Sequence, residues 1–339
     1  MRVVTFGELL LRLAPEGHLR FLQEPRLEAT FGGGEANVGV SLAEFGAQSV
    51  YVTRLPENDI AQAAINQLRT FAVDTKKIAR GGDRMGIYFL EKGAAQRPSK
   101  VIYDRAHSAI AQAKPGTFDW DAILDGADWF HFSGITPALS DDAAQITREA
   151  LAAARAHGVR VSCDINYRAN LWSREKAGAV MRPMMEYVDL FIGGAEDAEQ
   201  ELGITPPASE VLEDGLTHAG YESVAQQLID TYGFQAVACT LRESISASDN
   251  NWGAMLYTGN QAYYSRKYAI HIVDRVGGGD SFSAGLIYAL LDGRQPQDAV
   301  EFAGAAGVLK HSIEGDYNRI TVQEAERLVR TGGNGRVSR

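Results

Sequence analysis

The chain has 339 residues, 45% hydrophobic and 22% charged, with 43 acidic against 33 basic side chains and a formal net charge of −10. This is an ordinary globular composition, long enough for one large or two modest domains. The acidic balance speaks against nucleic acid or an anionic membrane as partner, and no apolar run approaches the roughly 20 residues of a membrane helix.

The N-terminal stretch MRVVTFGELLLRL alternates charges and lacks a small-residue cleavage site, which reads against a signal peptide. Cys163 and Cys239 each end an apolar run, as buried thiols of a reducing compartment do, so a cytoplasmic location is expected. Short apolar runs at 3–9, 49–55, 128–134, 159–165, 188–194 and 235–241 have the look of buried strands. Between them lie helical patterns at 35–46, 57–70, 141–157, 174–187 and 221–232. The alternation predicts crossover units around a mainly parallel sheet with helices on both faces.

Two regions break the rhythm. Residues 10–31 are long and irregular, and 84–105 interleave polar and apolar residues as a hairpin with a Gly/Pro-containing loop. They are readable as a small separate sheet beside the main one, or as two surface loops. Residues 331–339, ending GGNGRVSR, are expected to be a disordered tail.

The chemistry concentrates in two glycine clusters, each opening a helical pattern. Gly277-Gly278-Gly279-Asp280 precedes an amphipathic run with Phe282, Leu286, Ile287 and Leu290 at helical spacing. Residues without a Cβ let backbone N–H groups converge on an anion, and the helix dipole adds partial positive charge. Asp280 stands there as a candidate base, or as a helix N-cap. Valine at Gly278 is therefore expected to abolish activity while the fold survives.

The earlier cluster, Gly32-Gly33-Gly34-Glu35-Ala36-Asn37, does not fit the dinucleotide G-x-G-x-x-G, since Asn37 occupies its last position. No Walker-type P-loop is present either. Asn37, with both donors and acceptors, suits a polyhydroxyl ligand.

Three arginines at strand ends or in the hairpin, Arg105, Arg168 and Arg242, could fix an acidic ligand or phosphate bidentately. Glu196 and Asp197 follow a strand and are readable as a magnesium shell or as acidic residues opening a helix. Ser244, Ser246 and Asn250 lie in a polar stretch before the hairpin WGAMLYTGNQAYYS, as a nucleotide border or a turn. The histidines show no metal-ligand spacing.

Taken together, the early glycine cluster and Asp274-Arg275-Val276-Gly277-Gly278-Gly279-Asp280-Ser281-Phe282 resemble the paired signatures of the ribokinase-like (PfkB) carbohydrate kinases. The segments VIYDRAHSA, DINYRANLW, TLRESISASDNNW and LKHSIEGDYN are similar to those of 2-keto-3-deoxygluconate kinases. The resemblance, over residues 1–330, implies a three-layer α/β/α fold with a small β-sheet lid from about 10–31 and 84–105. Association into a homodimer or higher homo-oligomer would run through that lid.

By the same resemblance the cofactors would be ATP and Mg2+ and the substrate a small sugar acid, with kinases of neutral sugars and a non-catalytic sugar binder as rivals. Asp280 would be the base and the backbone of Gly277, Gly278 and Gly279 the anion hole. Gly34, Asn37, Tyr88, Tyr103, Arg105 and Arg168 would line the sugar-acid site. Thr240, Arg242 and Ser244, with Gly277 and Gly279, would border the nucleotide, and Glu196 and Asp197 would support the metal through water. Gly194 and Asp197 depart from the family's magnesium-associated N-x-x-E, and Ala303-Gly304-Ala305-Ala306 departs from its adenine-proximal A-N-A-A. Arg275 replaces the family's threonine, which leaves a monovalent cation beside Asp274 open.

Overall fold

A computed structural model describes residues 1–212 and 215–333. The apolar run at the N-terminus forms β1 (Arg2–Phe6), buried at Val3 to Phe6 as a central parallel strand must be. The stretch predicted to be irregular contains two strands, β2 (Leu10–Ala14) and β3 (Glu28–Gly32), paired antiparallel. LLRLA alternates buried and half-buried positions, but Arg12 takes a buried one and Leu11 and Leu13 half-buried ones, so the sequence itself shows no period-2 signal.

Helix α1 (Gly34–Glu44) then leads to β4 (Gln48–Val52) and α2 (Asp59–Thr70), whose N-cap Asn58 accepts the Ala61 N–H at 2.9 Å. The expected hairpin at 84–105 is present as β5 (Gly86–Glu91) and β6 (Lys100–Asp104). β2 pairs parallel with β5, so β3-β2-β5-β6 make one small sheet from sequence-distant segments.

The main alternation continues through β7 (Trp129–Ser133), α3 (Asp141–Ala156), β8 (Arg160–Asp164), α4 (Arg174–Met185), β9 (Leu190–Ile192) and α5 (His218–Tyr232). Four further strands follow: β10 (Ala236–Ser244), β11 (Asp249–Thr258), β12 (Gln261–Tyr264) and β13 (Tyr268–His271). Helices α6 (Gly278–Leu291), α7 (Pro296–Lys310) and α8 (Val322–Thr331) close the described chain. The polar stretch around Ser246 is the turn between two strands. β10 runs to Ser244 and turns directly into β11, in which Asn250 pairs with Ser244.

α8 opens with a reciprocal Thr321–Glu324 capping box and stops at left-handed Gly332, one residue past Thr331. It thus extends one residue into the expected tail, of which 334–339 lie outside the described residues.

The main sheet has the order β12-β11-β10-β9-β8-β7-β1-β4, with β13 also on β11. Strands from β4 to β10 are parallel, and β11, β12 and β13 pair antiparallel. One face buries Phe6, Phe130, Phe132 and Phe191 against α3, α4 and α5. The other buries Val3, Trp129 and Leu190 against α1, α6, α7 and α8. This is a three-layer α/β/α architecture with a small second sheet. Two helices of the same layer, α1 and α6, pack together, and each starts at a glycine cluster. Both N-termini face the carboxyl ends of β1 and β8, where open α/β sheets hold ligands. Among the described residues no helix is long and apolar enough to cross a membrane.

Candidate active site

A cavity of about 370 Å³ opens between those strand ends and the small sheet. Its wall brings together Gly34, Asn37, Tyr88, Tyr103, Arg105, Arg168, Asp197, Gly277, Gly279 and Asp280, drawn from positions up to 246 residues apart in the sequence. Gly278 lies behind the wall, where a Cβ would stand 2.3 Å from the His311 ring. Valine there would therefore disrupt packing, and the expectation that the fold survives it does not hold. Thr240, Arg242, Ser244 and Glu196 lie outside this cavity. Arg242 and Ser244 are exposed on β10, and Glu196 accepts a hydrogen bond from Gln200.

Helix α6 begins at Gly277, the N-cap, with a left-handed φ of 83° and no side-chain cap. Asp280 is therefore the third helical residue and not the cap. Its carboxylate turns outward and accepts the Asn37 side-chain N–H at 2.7 Å, joining the two glycine clusters. Burial pushes its pKa up to about 7 against that hydrogen bond, and the nearby carboxylates of Asp316 and Glu35 push the same way. A carboxyl poised near neutrality at a helix N-terminus is suited to accept a hydroxyl proton. Gly279 lines the cavity from that first turn.

The early cluster is held by Glu35. Its buried carboxylate accepts Ser133 N–H at 3.0 Å, Ser133 Oγ at 2.6 Å and Thr136 Oγ1 at 2.7 Å. Burial raises the Glu35 pKa despite those donors.

Three cations border the cavity in different states. Arg105 donates from Nε and Nη2 to Glu8 and lies over the Tyr103 ring, so its charge is already paired. Glu8 Oε1, also buried, has no protein partner among the described residues. Arg168 is exposed, bonds only the Tyr167 carbonyl at 3.0 Å, and makes no ion pair within 4.0 Å among the described residues. Arg275 donates to the Ala247 carbonyl at 3.0 Å, and burial beside Arg242 lowers its pKa.

Asp164 and Asp197 face Arg168. Burial raises both, and Asp164 is raised further by Asp280 and Asp197. Behind the glycine loop, Arg12 from β2 donates to Asp274 at 2.5 Å and to Asp316 at 2.7 Å. Sequence reasoning passed over Glu8, Arg12, Glu35, Asp164 and Asp316. Strand-end position was an available signal for Glu8 and Asp164, and a place within the early glycine cluster for Glu35. Asp316 lies in the segment LKHSIEGDYN that carries part of the resemblance, whereas Arg12 has no local signature.

A model of the pfkB family of carbohydrate kinases matches residues 2–321. The chain belongs to that family. As a carbohydrate kinase of the pfkB family it is 52% identical to the solved 2-dehydro-3-deoxygluconokinase of Thermotoga maritima, with a TM-score of 0.94 over 97% of this chain and 98% of that one. It is 30% identical to the 2-dehydro-3-deoxygalactonokinase of Haloferax volcanii over 98% of both chains. It is 26% identical to the 2-dehydro-3-deoxygluconokinase of Thermoproteus tenax, covering 97% of this chain and 94% of that relative. The pfkB relationship thus spans both glycine clusters and the small sheet.

Proposed function

We propose that this carbohydrate kinase transfers the terminal phosphoryl group of ATP to the primary hydroxyl of 2-keto-3-deoxygluconate, giving the 6-phosphate. Residues 1–330 act as one kinase unit in this reading, with segments 10–31 and 84–105 as the lid. One observation carries the choice of a sugar acid: Arg168 is a cavity-lining guanidinium without an ion pair, beside a cavity that could seat a carboxylate. The similarity to kinases of two epimeric sugar acids points the same way.

Asn37 orients Asp280, which accepts the hydroxyl proton as attack develops. The backbone N–H groups of the Gly277–Gly279 turn and the α6 dipole stabilise charge on the transferring phosphoryl. Tyr88, Tyr103 and Gly34 enclose the sugar, Glu8 Oε1 accepts from one of its hydroxyls, and Arg105 fixes Glu8. Thr240, Arg242 and Ser244 flank the outer part of the nucleotide.

Asp164 and Asp197 are neighbouring carboxylates, both raised by burial, and so fit a cation that keeps most of its waters, such as Mg2+. Bound there, Mg2+ would neutralise phosphate charge. Glu196, turned to Gln200, has no direct part. Asp274 already accepts Arg12, Val276 N–H and Gly315 N–H, so the reading includes no monovalent cation beside it.

Two further points belong to this proposal. Val101, Ile102 and Tyr103 are 43%, 44% and 42% exposed on the edge strand of the small sheet, a surface for pairing with a second copy. Light scattering during gel filtration would return a monomer if that surface is unused. Two buried free cysteines accord with a cytoplasmic enzyme.

The decisive experiment compares kcat/KM on 2-keto-3-deoxygluconate, its galactonate epimer and fructose for wild type, Arg168→Met and Arg168→Lys. Loss of a charge-assisted bidentate contact should lower kcat/KM on the acids by about tenfold to a hundredfold. Fructose should be affected far less, and lysine should rescue only in part. Equal losses on acid and ketose would remove Arg168 from carboxylate recognition, and a wild-type preference for fructose would overturn the sugar-acid reading.

A further inference from the structure

The buried charges that phosphoryl transfer leaves unused converge on Asp316. Its Oδ1 accepts Arg12 Nη1 at 2.7 Å, and the Tyr88 hydroxyl donates to the same carboxylate at 2.7 Å. Arg12 lies on β2 and Tyr88 on β5, so both donors belong to the small sheet. Arg12 Nη2 reaches Asp274 at 2.5 Å, and Asp274 also accepts the N–H groups of Val276 at 3.1 Å and Gly315 at 3.2 Å. Gly277 follows Val276 directly and presses on the Asp316 backbone so closely that a Cβ would stand 2.1 Å from its carbonyl oxygen. One guanidinium therefore bridges the small sheet to both loops that shape the glycine turn.

We propose that Arg12 is a positioning residue that couples the small sheet over the acceptor side of the cavity to the glycine turn on the phosphate side. The inference rests on the kinase reading, because it assigns one ligand to each side. Its physical basis is the cost of separating these groups. Arg12, Asp274 and Asp316 are all buried, and moving β2 away would leave two neighbouring carboxylates to share the single charge of buried Lys310. The arrangement therefore has two discrete states, engaged or parted, and few between them. A ligand that settles the glycine turn favours the engaged small sheet, and by linkage a ligand under that sheet favours the settled turn. Arg12 offers a separate nitrogen of a rigid planar fork to each carboxylate, which the single ammonium nitrogen of a lysine at the same place does not.

The test uses the full-length enzyme and a nucleotide that is not turned over, AMP-PNP with Mg2+. In wild type, AMP-PNP alone should slow amide hydrogen exchange in 10–14 and 86–91 of the small sheet, and saturating 2-keto-3-deoxygluconate should tighten AMP-PNP binding by roughly tenfold, within the usual range of coupling. Arg12→Met should still bind AMP-PNP, lose the protection and bring the tightening factor to about one. Arg12→Lys should fall between. Where Arg12→Met does not fold, Tyr88→Phe carries the same measurement with all charges still paired and should show a partial loss. A variant that melts earlier but keeps wild-type protection would show Arg12 to be merely structural and would overturn the proposal. So would wild-type enzyme that binds AMP-PNP without protecting the small sheet. Protection by AMP-PNP without any binding of the sugar acid would overturn the substrate reading alone.

Discussion

The two glycine clusters look alike in sequence, each a run of three before a helix, yet their members do unlike things. In the early run a Cβ at Gly32 would stand 1.8 Å from Asp316 Oδ2, and one at Gly33 would stand 2.0 Å from the Glu8 carbonyl oxygen. In the late run a Cβ at Gly277 would meet the Asp316 carbonyl, and one at Gly278 the His311 ring. The last glycine of each run is different. A Cβ at Gly279 would have nothing within 4 Å, and one at Gly34 only Asp280 Oδ1 at 3.8 Å. Packing thus accounts for the first two glycines of each triplet and leaves the third unexplained by the protein itself. Both third glycines line the cavity, where a methyl group would occupy space that a ligand needs. The clusters differ in backbone as well: Gly277 requires left-handed φ, whereas Gly33 is extended at φ 169°.

The largest effect should come from the residue that joins the two clusters. Asp280→Asn keeps the shape and can still bond Asn37, but it cannot accept a proton. Turnover should fall by about 10²–10⁴-fold with AMP-PNP binding retained. Single-turnover kinetics beside a binding isotherm would check this, and near-normal turnover would remove Asp280 from the chemistry.

Gly279→Ala comes next and tests the distinction within the triplet. Alanine at the second helical position should leave stability unchanged or raised by about 0.5–1 kcal/mol, since glycine is the poorer helix former. Activity should nevertheless drop by roughly tenfold or more, up to the 10²–10³-fold of losing one oxyanion donor outright. Denaturant titration together with kcat would decide, and full activity would mean the third glycine is incidental.

Gly277→Ala should show the reverse order. Left-handed φ costs a residue with a Cβ about 1–2 kcal/mol, and the contact with Asp316 adds to it, so the loss should be seen first in the denaturation midpoint.

The comparison also shows what kind of information a sequence carries. The parallel strands of the main sheet were legible because strands buried on both faces are continuous apolar runs, and VVTF and WFHF say so locally. The hairpin of β5 and β6 was legible from its alternation, but its partner strands β2 and β3 were not. β2 pairs with β5 only across a long sequence separation, and in β3, which pairs with β2 alone, Glu28 and Ala29 are exposed, so no apolar signal marks that strand. Within the site, glycine runs at helix starts stood out because backbone geometry demands that residue type. Arg105 was read as a candidate to fix an acidic ligand, and only the fold shows that Glu8, buried between β1 and β2, already holds it. Arg12 and Asp316 are 304 residues apart, and although Asp316 lies in the segment LKHSIEGDYN, only the small sheet brings the two together as a pair.

The smallest expected effect sharpens the link between the clusters. Asn37 donates to the ionised form of Asp280, which holds its pKa below what burial alone would set. Asn37→Ala should therefore move the acid limb of kcat/KM from about 7 to higher pH, because protonated Asp280 is inactive as a base. The sign of the stability effect follows from the same shift. Folding raises the Asp280 pKa from an ordinary carboxylate value to about 7, so between those values the native state binds more protons than the unfolded chain. Stability from this group is present at low pH and is lost as pH rises through about 7. Asp280→Asn removes that loss, so its melting temperature should exceed wild type at pH 8 and the gap should shrink by pH 5. Asn37→Ala should change the gap in the opposite sense, since it makes the ionised carboxylate costlier. A melting series at several pH values on the three proteins, showing no pH dependence in the differences, would mean that Asp280 is hydrated in the native state and not held by Asn37.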